Sequence, residues 1–341
     1  RKFKDELISG ITYRWIKTPK YKGNGVWRII HMILYNIRLW MNAKRIVKDF
    51  SPEIVISSGV TPLDFFGCYR IARLAKAKIT YEVGDLWPLT PIELGGYSKN
   101  HPFIRFVQWA ENYAYKNTDQ LISLLPKAKE YMVLHGLADH KFHHIPNGIL
   151  MEDWSEFKNK ELWEDYSIIE DLKRNGKFII GFTGSHTISN DLYTTLKVAK
   201  KLMNTNIHFV FIGDGPEKPN LINFVNDNSI INVTFLAPVK KYLIPLVLSQ
   251  MDALYAGTQK KSLYRFGVSL NKIFDYMMSG KPIIQAISAA NDIVGDAKCG
   301  YSVEAGNVIE ISNAIENISK LSDNERRILG LRGQEYVINN N

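Results

Sequence analysis

The stretch from Arg265 to Ile284 gathers the side chains of this chain best spaced to do chemistry. It reads as a loop, a helix opening at Ser269, and a stop. Ser269 is a good N-cap, Gly280 suits a helix C-terminus, and Pro282 forbids continuation before Ile283 and Ile284 begin a buried strand. Asn271 and Lys272 then fall in the first turn, where free backbone N–H groups and the helix dipole favour an anion. Asp275 lies one turn on, on roughly the same side. A phosphate at the helix mouth, with a carboxylate behind it accepting hydrogen bonds from a diol, describes a nucleoside diphosphate. Loop, helix and strand with a capping serine also occur in α/β proteins of every kind, so the other strand ends matter.

Three further loops join this one. Gly184-Ser185 follows the apolar run Phe178–Phe182, Gly213-Asp-Gly215 follows His208–Ile212, and Phe266-Gly267 precedes the helix. Small residues let backbone N–H groups approach a phosphate closely, although tight turns also use glycine for backbone reasons alone. With Leu236 closing another strand, and with Ser269, Asn271 and Lys272, they outline one donor pocket. The chain has no Gly-x-Gly-x-x-Gly, no Walker A sequence and no Asp-x-Asp. Charge on a leaving diphosphate is then met by Lys272, Arg265 and helix N–H groups rather than by a metal held through paired aspartates. Nearer the N-terminus, Asp85 and Trp87 follow the strand Ile79–Val83, at the carboxyl edge where open α/β sheets bind ligands; a strand-ending aspartate can equally cap a turn. His143 and His144 are adjacent on a strand and point to opposite faces, so no metal site is expected there.

Charge divides unevenly. Residues 1–150 hold 22 Lys+Arg against 12 Asp+Glu, and the remainder 21 against 22, so the whole excess of +9 belongs to the first part. That points to an anionic partner there. No nucleic-acid-binding motif accompanies it, and an anionic lipid or lipid-linked diphosphate fits better. The segment Val26–Val47 reads as a helix rich in Ile, Leu, Met, Tyr and Trp with interspersed Arg and Lys; it could lie on an anionic membrane surface or face the core with snorkelling basic residues. Cys68 and Cys299 give neither a disulfide framework nor metal-ligand spacing, which suits a reducing compartment. No run approaches the roughly 18 apolar residues needed to span a bilayer.

Strands must position these loops. In the first part they are expected at Ile11–Ile16, at Ile54–Ile56 as a buried parallel strand, at Ile79–Val83, at Gln120–Leu124 and after Phe142, with a loop marked by Gly23-Asn-Gly25. In the second they are expected at 178–182, 208–212, 232–236, 253–256, 283–284 and 300–303, each followed by helix or loop. Residues 151–176 lack a clean period and look like a crossing between domains. The alternation predicts an α/β chain of two doubly wound parallel sheets with a cleft between them.

The sequence Asn-Lys-Ile-Phe-Asp-Tyr-Met-Met-Ser-Gly-Lys-Pro-Ile-Ile (271–284), preceded by Tyr-Arg-Phe-Gly-Val-Ser, closely resembles the signature of family-4 retaining glycosyltransferases of the GT-B fold, in the WbuB-type branch of bacterial O-antigen and capsule assembly. Residues 81–96, 118–123, 145–149 and 212–216 also fall where that family has counterparts, so the resemblance spans almost the whole chain. It implies two Rossmann-like domains facing a cleft: an acceptor-binding domain over 1–155, a crossing over 156–176, a nucleotide-sugar-binding domain over 177–325, and a C-terminal helix over 326–341 returning toward the first domain. By position, Asp275 corresponds to the second acid of the family's Glu-x7-Glu motif, which holds the ribose diol. Gly267 stands where the first Glu contacts the donor sugar. Gly184-Ser-His lacks the Arg that many relatives place after the glycine, which leaves Lys272 and Arg265 as phosphate partners. Gly84 stands where relatives often carry Arg. The resemblance also implies leading strands before Arg1 and a longer final helix, so truncation at both ends is expected.

What the resemblance implies is a metal-independent, retaining transferase without cofactor. It would move a hexose or N-acetylhexosamine from a UDP-sugar to a polyprenyl-diphosphate-linked or oligosaccharide acceptor. Asp85, Lys272 and Asp275 would be its catalytic residues, and the protein would be cytoplasmic, peripheral on the inner face of the bacterial membrane. Two other readings share the architecture: a UDP-N-acetylhexosamine 2-epimerase, and a non-catalytic subunit, which Gly267 in place of Glu favours.

Overall fold

The computed structural model describes residues 3–21, 25–155 and 165–340. Gly23 and Asn24 of the expected loop, and 156–164 of the expected crossing, lie outside the described residues. The chain forms two compact units, Arg1–Pro146 and Asn147–Asn341. The division falls earlier than the expected domain end at 155.

The first unit opens with an antiparallel hairpin of β1 (Phe3–Ile8) and β2 (Ile11–Ile16), turned at Ser9-Gly10, both in the left-handed region. Its sheet is parallel, in the order β3 (Ile54–Ser57), β4 (Lys78–Val83), β5 (Gln120–Ser123), β6 (Phe142–His144). The helix expected over 26–47 is two: Val26–Met41 and Ala43–Phe50. They part at Asn42, whose φ of −98° and ψ of 5° leave the helical region and whose side-chain amide donates to the Arg38 carbonyl at 2.7 Å. The expectation of a buried β3 is also corrected. Val55 and Ser57 face the helices, but Ile54 and Ile56 are 63% and 58% exposed. β3 is the edge of the described sheet, and no described element covers its second face.

The second unit is a six-stranded parallel sheet ordered β12-β11-β10-β7-β8-β9, where β7 is Phe178–Thr183, β8 Ile207–Ile212, β9 Val233–Leu236, β10 Ala253–Gly257, β11 Ile283–Ala286 and β12 Gly300–Val303. The chain winds outward from β7 to β9, then returns to β10 and winds the other way. The order therefore reverses between β7 and β10, the place where doubly wound sheets leave a crevice at their carboxyl ends. Every residue of β7, β8 and β10 is buried, as strands covered on both faces require. Alternate residues feed opposite cores. Ile179, Val210, Leu254 and Ile283 pack with Ile273, Phe274 and Met277 of helix Asn271–Met278. Ile180, Phe182, Phe209, Phe211, Tyr255 and Ile284 pack with Leu196, Ile311 and Ile315 of the opposite layer.

Helix Tyr166–Arg174, within the expected crossing, belongs to the second unit: Ile169 is fully buried in its core. The last helix, Asp323–Asn340, packs against helix Asn271–Met278. Gln334 donates to the Met278 carbonyl at 2.8 Å, and a Cβ on Gly330 would stand 1.7 Å from the Gly280 carbonyl oxygen. This close approach seats the back of the helix that carries Lys272 and Asp275. Gly330→Ala is therefore expected to destabilise the second unit by about 2 kcal/mol, lowering its thermal midpoint by about 4–8 °C; an unchanged melt would show that the seat is not tight.

Candidate functional site

The site grows from the carboxyl ends of β7 and β8 and the start of helix Asn271–Met278. Two loops meet there. His186 N donates to the Asp214 carbonyl at 2.8 Å, and Glu217 N donates to the His186 carbonyl at 3.0 Å. A Cβ on Gly213 would lie 2.0 Å from the Gly184 carbonyl oxygen, so only glycine lets the two loops touch. Lys218 closes the same corner, its ammonium donating to the Gly213 and Leu236 carbonyls at 2.8 Å each.

The helix is pinned to this corner from inside. The Tyr276 hydroxyl, fully buried, accepts from Thr183 N at 2.8 Å and donates to the Thr183 carbonyl at 3.2 Å. One turn earlier Lys272 reaches over the β7 loop. Its Nζ lies 4.3 Å from the centroid of the Phe182 ring, and a Cβ on Gly184 would stand 3.3 Å from it. It donates to Asn190 Oδ1 at 2.7 Å. No described carboxylate pairs with it, and burial pushes its amine from the usual lysine range down to about 7. Asp275 is half-buried on the next turn. Burial lifts its carboxyl to about 6; Lys241 opposes the shift and Asp153 adds to it. Those two neighbours pair with each other at 3.4 Å.

Ser269 is not the N-cap. The helix begins at Asn271, and its cap residue, Leu270, offers no side-chain acceptor. The Ser269 hydroxyl accepts instead from Asn147 N at 2.9 Å, and the Asn147 amide donates to the Ser269 carbonyl at 2.6 Å. A contact distant in sequence took the hydroxyl, and the first turn keeps its N–H groups without a side-chain cap. Gly267 is buried at φ 93°, a conformation that an L side chain such as Glu rarely adopts. Val268 beside it is clamped both ways by Asn291, at 2.8 and 3.0 Å.

The structure thus brings together Gly184, Gly213, Lys272 and, through Lys218, Leu236. Gly215 and Ser185 belong to the same loop pair: a Cβ on Gly215 would meet the His186 carbonyl oxygen at 2.4 Å, and the Ser185 carbonyl accepts from Asn190 at 2.7 Å. Asn271 is exposed in the first turn. Arg265 is exposed, lies 4.4 Å from the Phe266 ring centroid and donates to the Ser262 carbonyl at 2.6 Å. Asp85 lies in the first unit, just beyond β4, its carboxyl raised by desolvation. Sequence reading missed Asn147, His186, Asn190, Lys218 and Tyr276. Each has a partner far along the chain (Ser269, Asp214, Lys272, Leu236 and Thr183 in turn), and no local spacing marks those pairs. Among the described residues no group of three His, Cys, Asp or Glu is placed to hold a metal ion.

Residues 177–320 match the family described as Glycosyl transferases group 1. No curated protein matches the chain by sequence. Several solved structures are similar in fold. Anabaena HepE in complex with UDP-glucose is 15% identical, over 87% of this chain and 77% of that one, with a TM-score of 0.66. Sucrose-phosphate synthase from Thermosynechococcus elongatus is 14% identical, over 96% and 78%, with a TM-score of 0.73. The E. coli trehalose-6-phosphate structure bound with UDP-2-fluoro glucose is 9% identical, over 100% and 86%, with a TM-score of 0.72. At these identities the likeness establishes the fold, GT-B, built of two Rossmann-like α/β domains. The match to that family falls within the second unit, and Lys272 and Asp275 lie among the matched residues.

Burial disfavours the charged form of both side chains. Lys272 has a folded pKa below its unfolded value, so its cost is complete below about pH 7 and fades as pH rises toward 10.5. Asp275 has a folded pKa above its unfolded value, so its cost is absent below 3.8 and complete above about 6. Lys272→Met and Asp275→Asn are each expected to stabilise the ligand-free protein near pH 7 by on the order of 1 kcal/mol, about 2–4 °C in thermal midpoint. Thermal melts from pH 5 to 9 check this; melting below wild type for both would show that the two groups stabilise the fold.

Proposed function

We propose that this chain is a retaining glycosyltransferase that moves a hexose or N-acetylhexosamine from a UDP-sugar to a lipid-linked surface-polysaccharide acceptor. The observation that carries the reading is Lys272: a partly buried, desolvated amine without a described carboxylate partner, over a glycine loop and beside an uncapped helix N-terminus, with Asp275 one turn away. The group 1 domain match supports sugar transfer, and neighbours solved with UDP-glucose and UDP-2-fluoro glucose support a UDP-linked donor.

In this reading the diphosphate sits against the Gly184 and Gly213 loops, with its charge met by Lys272 and helix N–H groups. Asp275 accepts from the ribose diol. As the anomeric C–O bond breaks, negative charge grows on the leaving phosphate and Lys272 stabilises it most at that moment. The acceptor hydroxyl attacks the oxocarbenium-like carbon from the same face, and its proton passes to a leaving phosphate oxygen. Positive charge sits on the protein where a metal would otherwise neutralise the diphosphate, so the reaction is proposed to need none. Asp85 is proposed to orient the acceptor.

The lipid-linked acceptor rests on the first unit. Ile33, Ile37, Trp40, Met41, Leu63, Phe66 and Phe106 line an apolar hollow of about 480 Å³, and Trp40 and Phe106 are about half exposed. Arg28, Arg38, Lys44, Arg45, Lys48, Arg70, Arg73 and Arg105 lie on the same group of helices. Among the described residues no helix is long and apolar enough to cross a membrane. The proposed location is cytoplasmic, peripheral on the inner membrane face. One observation favours a non-catalytic subunit instead: Gly267, at a φ of 93° that suits glycine, stands where relatives carry a sugar-binding Glu.

Turnover separates the two readings. UDP-sugars should be slowly hydrolysed by the wild type without added metal, and Asp275→Ala should lower kcat/KM at least about thirtyfold. UDP binding without any turnover on any UDP-sugar would favour the non-catalytic subunit. Co-sedimentation with liposomes should require anionic lipid and weaken as salt rises from 0.05 to about 0.5 M; equal binding to neutral vesicles would contradict the membrane assignment.

A further inference from the structure

Lys272 has a single described hydrogen-bond partner, and that partner is neutral. Asn190 Oδ1 accepts from Lys272 Nζ at 2.7 Å. The other end of the same amide donates to the Ser185 carbonyl at 2.7 Å and to Thr187 Oγ1 at 3.1 Å. One side chain therefore ties the loop after β7 to the ammonium above it. The loop is held elsewhere as well, since Gln259 N donates to the Ser189 carbonyl at 3.1 Å. We infer that Asn190 is a positioning residue: its amide oxygen holds Lys272 Nζ over Gly184, and its neutrality keeps the lysine charge available for the donor's diphosphate.

A partner for Lys272 competes with an incoming phosphate for its charge. A lysine ammonium has three donors and a full charge. A carboxylate in place of the amide would hold it equally well, and would also neutralise it. An arriving phosphate would then meet a paired cation and a nearby negative charge, and would have to displace or repel the carboxylate. An amide fixes direction without that cost. The surroundings agree. The charged groups near this corner are Asp275 on the same helix, Asp191 beside Asn190, Asp214 and Lys218 from the loop after β8, and His186 from the loop after β7. None of them contributes to the lowered Lys272 pKa, whose cause is burial alone. His186 is fully buried with neither ring nitrogen hydrogen-bonded, and burial together with Lys218 and Lys272 holds it down to about 4, so it stays neutral. Asn190 thus adds no negative charge to a corner built to receive one.

The inference rests on the proposed diphosphate role of Lys272, and the test separates the two. UDP and uridine are titrated calorimetrically into wild type, Asn190→Ala and Asn190→Asp, and each protein is melted from pH 6 to 9. Alanine and aspartate both remove the donations to Ser185 and Thr187; only aspartate adds charge. Asn190→Asp should bind UDP at least about tenfold more weakly than Asn190→Ala, yet melt at a higher temperature than Asn190→Ala. Its weaker UDP binding should persist to higher pH than that of wild type, because the carboxylate keeps Lys272 protonated. Uridine, which has no phosphate, should bind all three proteins alike. UDP affinity in Asn190→Asp equal to or better than in Asn190→Ala would overturn the inference alone. A wild type that binds no UDP would overturn the diphosphate reading and this inference with it.

Discussion

Charging a desolvated lysine that has no counter-ion is costly, and the second unit is arranged around such a lysine. Lys272 is placed by a helix whose own tyrosine, Tyr276, is hydrogen-bonded to the last residue of β7, so its height above the sheet is fixed by the core rather than by a loop. The loops beneath are brought into contact through Gly213 and leave no Cβ at Gly184 to fill the space under the amine. Asn147 draws Ser269 out of the capping role, and Gly330 lets the last helix brace the far side. Each of these contacts constrains the position of Lys272, and none neutralises it.

The same economy explains Asp275. Its carboxyl and the Lys272 amine lie on adjacent turns, and burial pushes both toward the neutral state. A fold selected for stability alone would pair or replace them. Held apart, they present separate charges to a ligand that brings both an anion and a pair of hydroxyl donors. Binding energy from that ligand offsets what the empty protein carries as strain in its electrostatics.

Local chemistry was legible in the sequence, and long-range chemistry was not. Lys272 and Asp275 are three residues apart on one helix, so their spacing alone placed them together, and the alternating strands of the second unit announced a doubly wound sheet. Ser269 was misread because its partner, Asn147, lies 122 residues away; Asn190 was missed because its partner is 82 residues away. Ile54 and Ile56 read as a buried strand, since a run of β-branched residues does not say whether a strand is central or at an edge.

The measurement closest to the centre of this account is the number of protons exchanged when UDP binds. It is obtained from binding heats at pH 8 in buffers of different ionisation enthalpy. With its amine near 7 in the empty protein, Lys272 is largely neutral at that pH, and a phosphate beside it restores the charge. The account predicts net proton uptake on UDP binding, lost in Lys272→Met. Binding without proton uptake, or uptake unchanged in that variant, would show that the diphosphate is met by some other group.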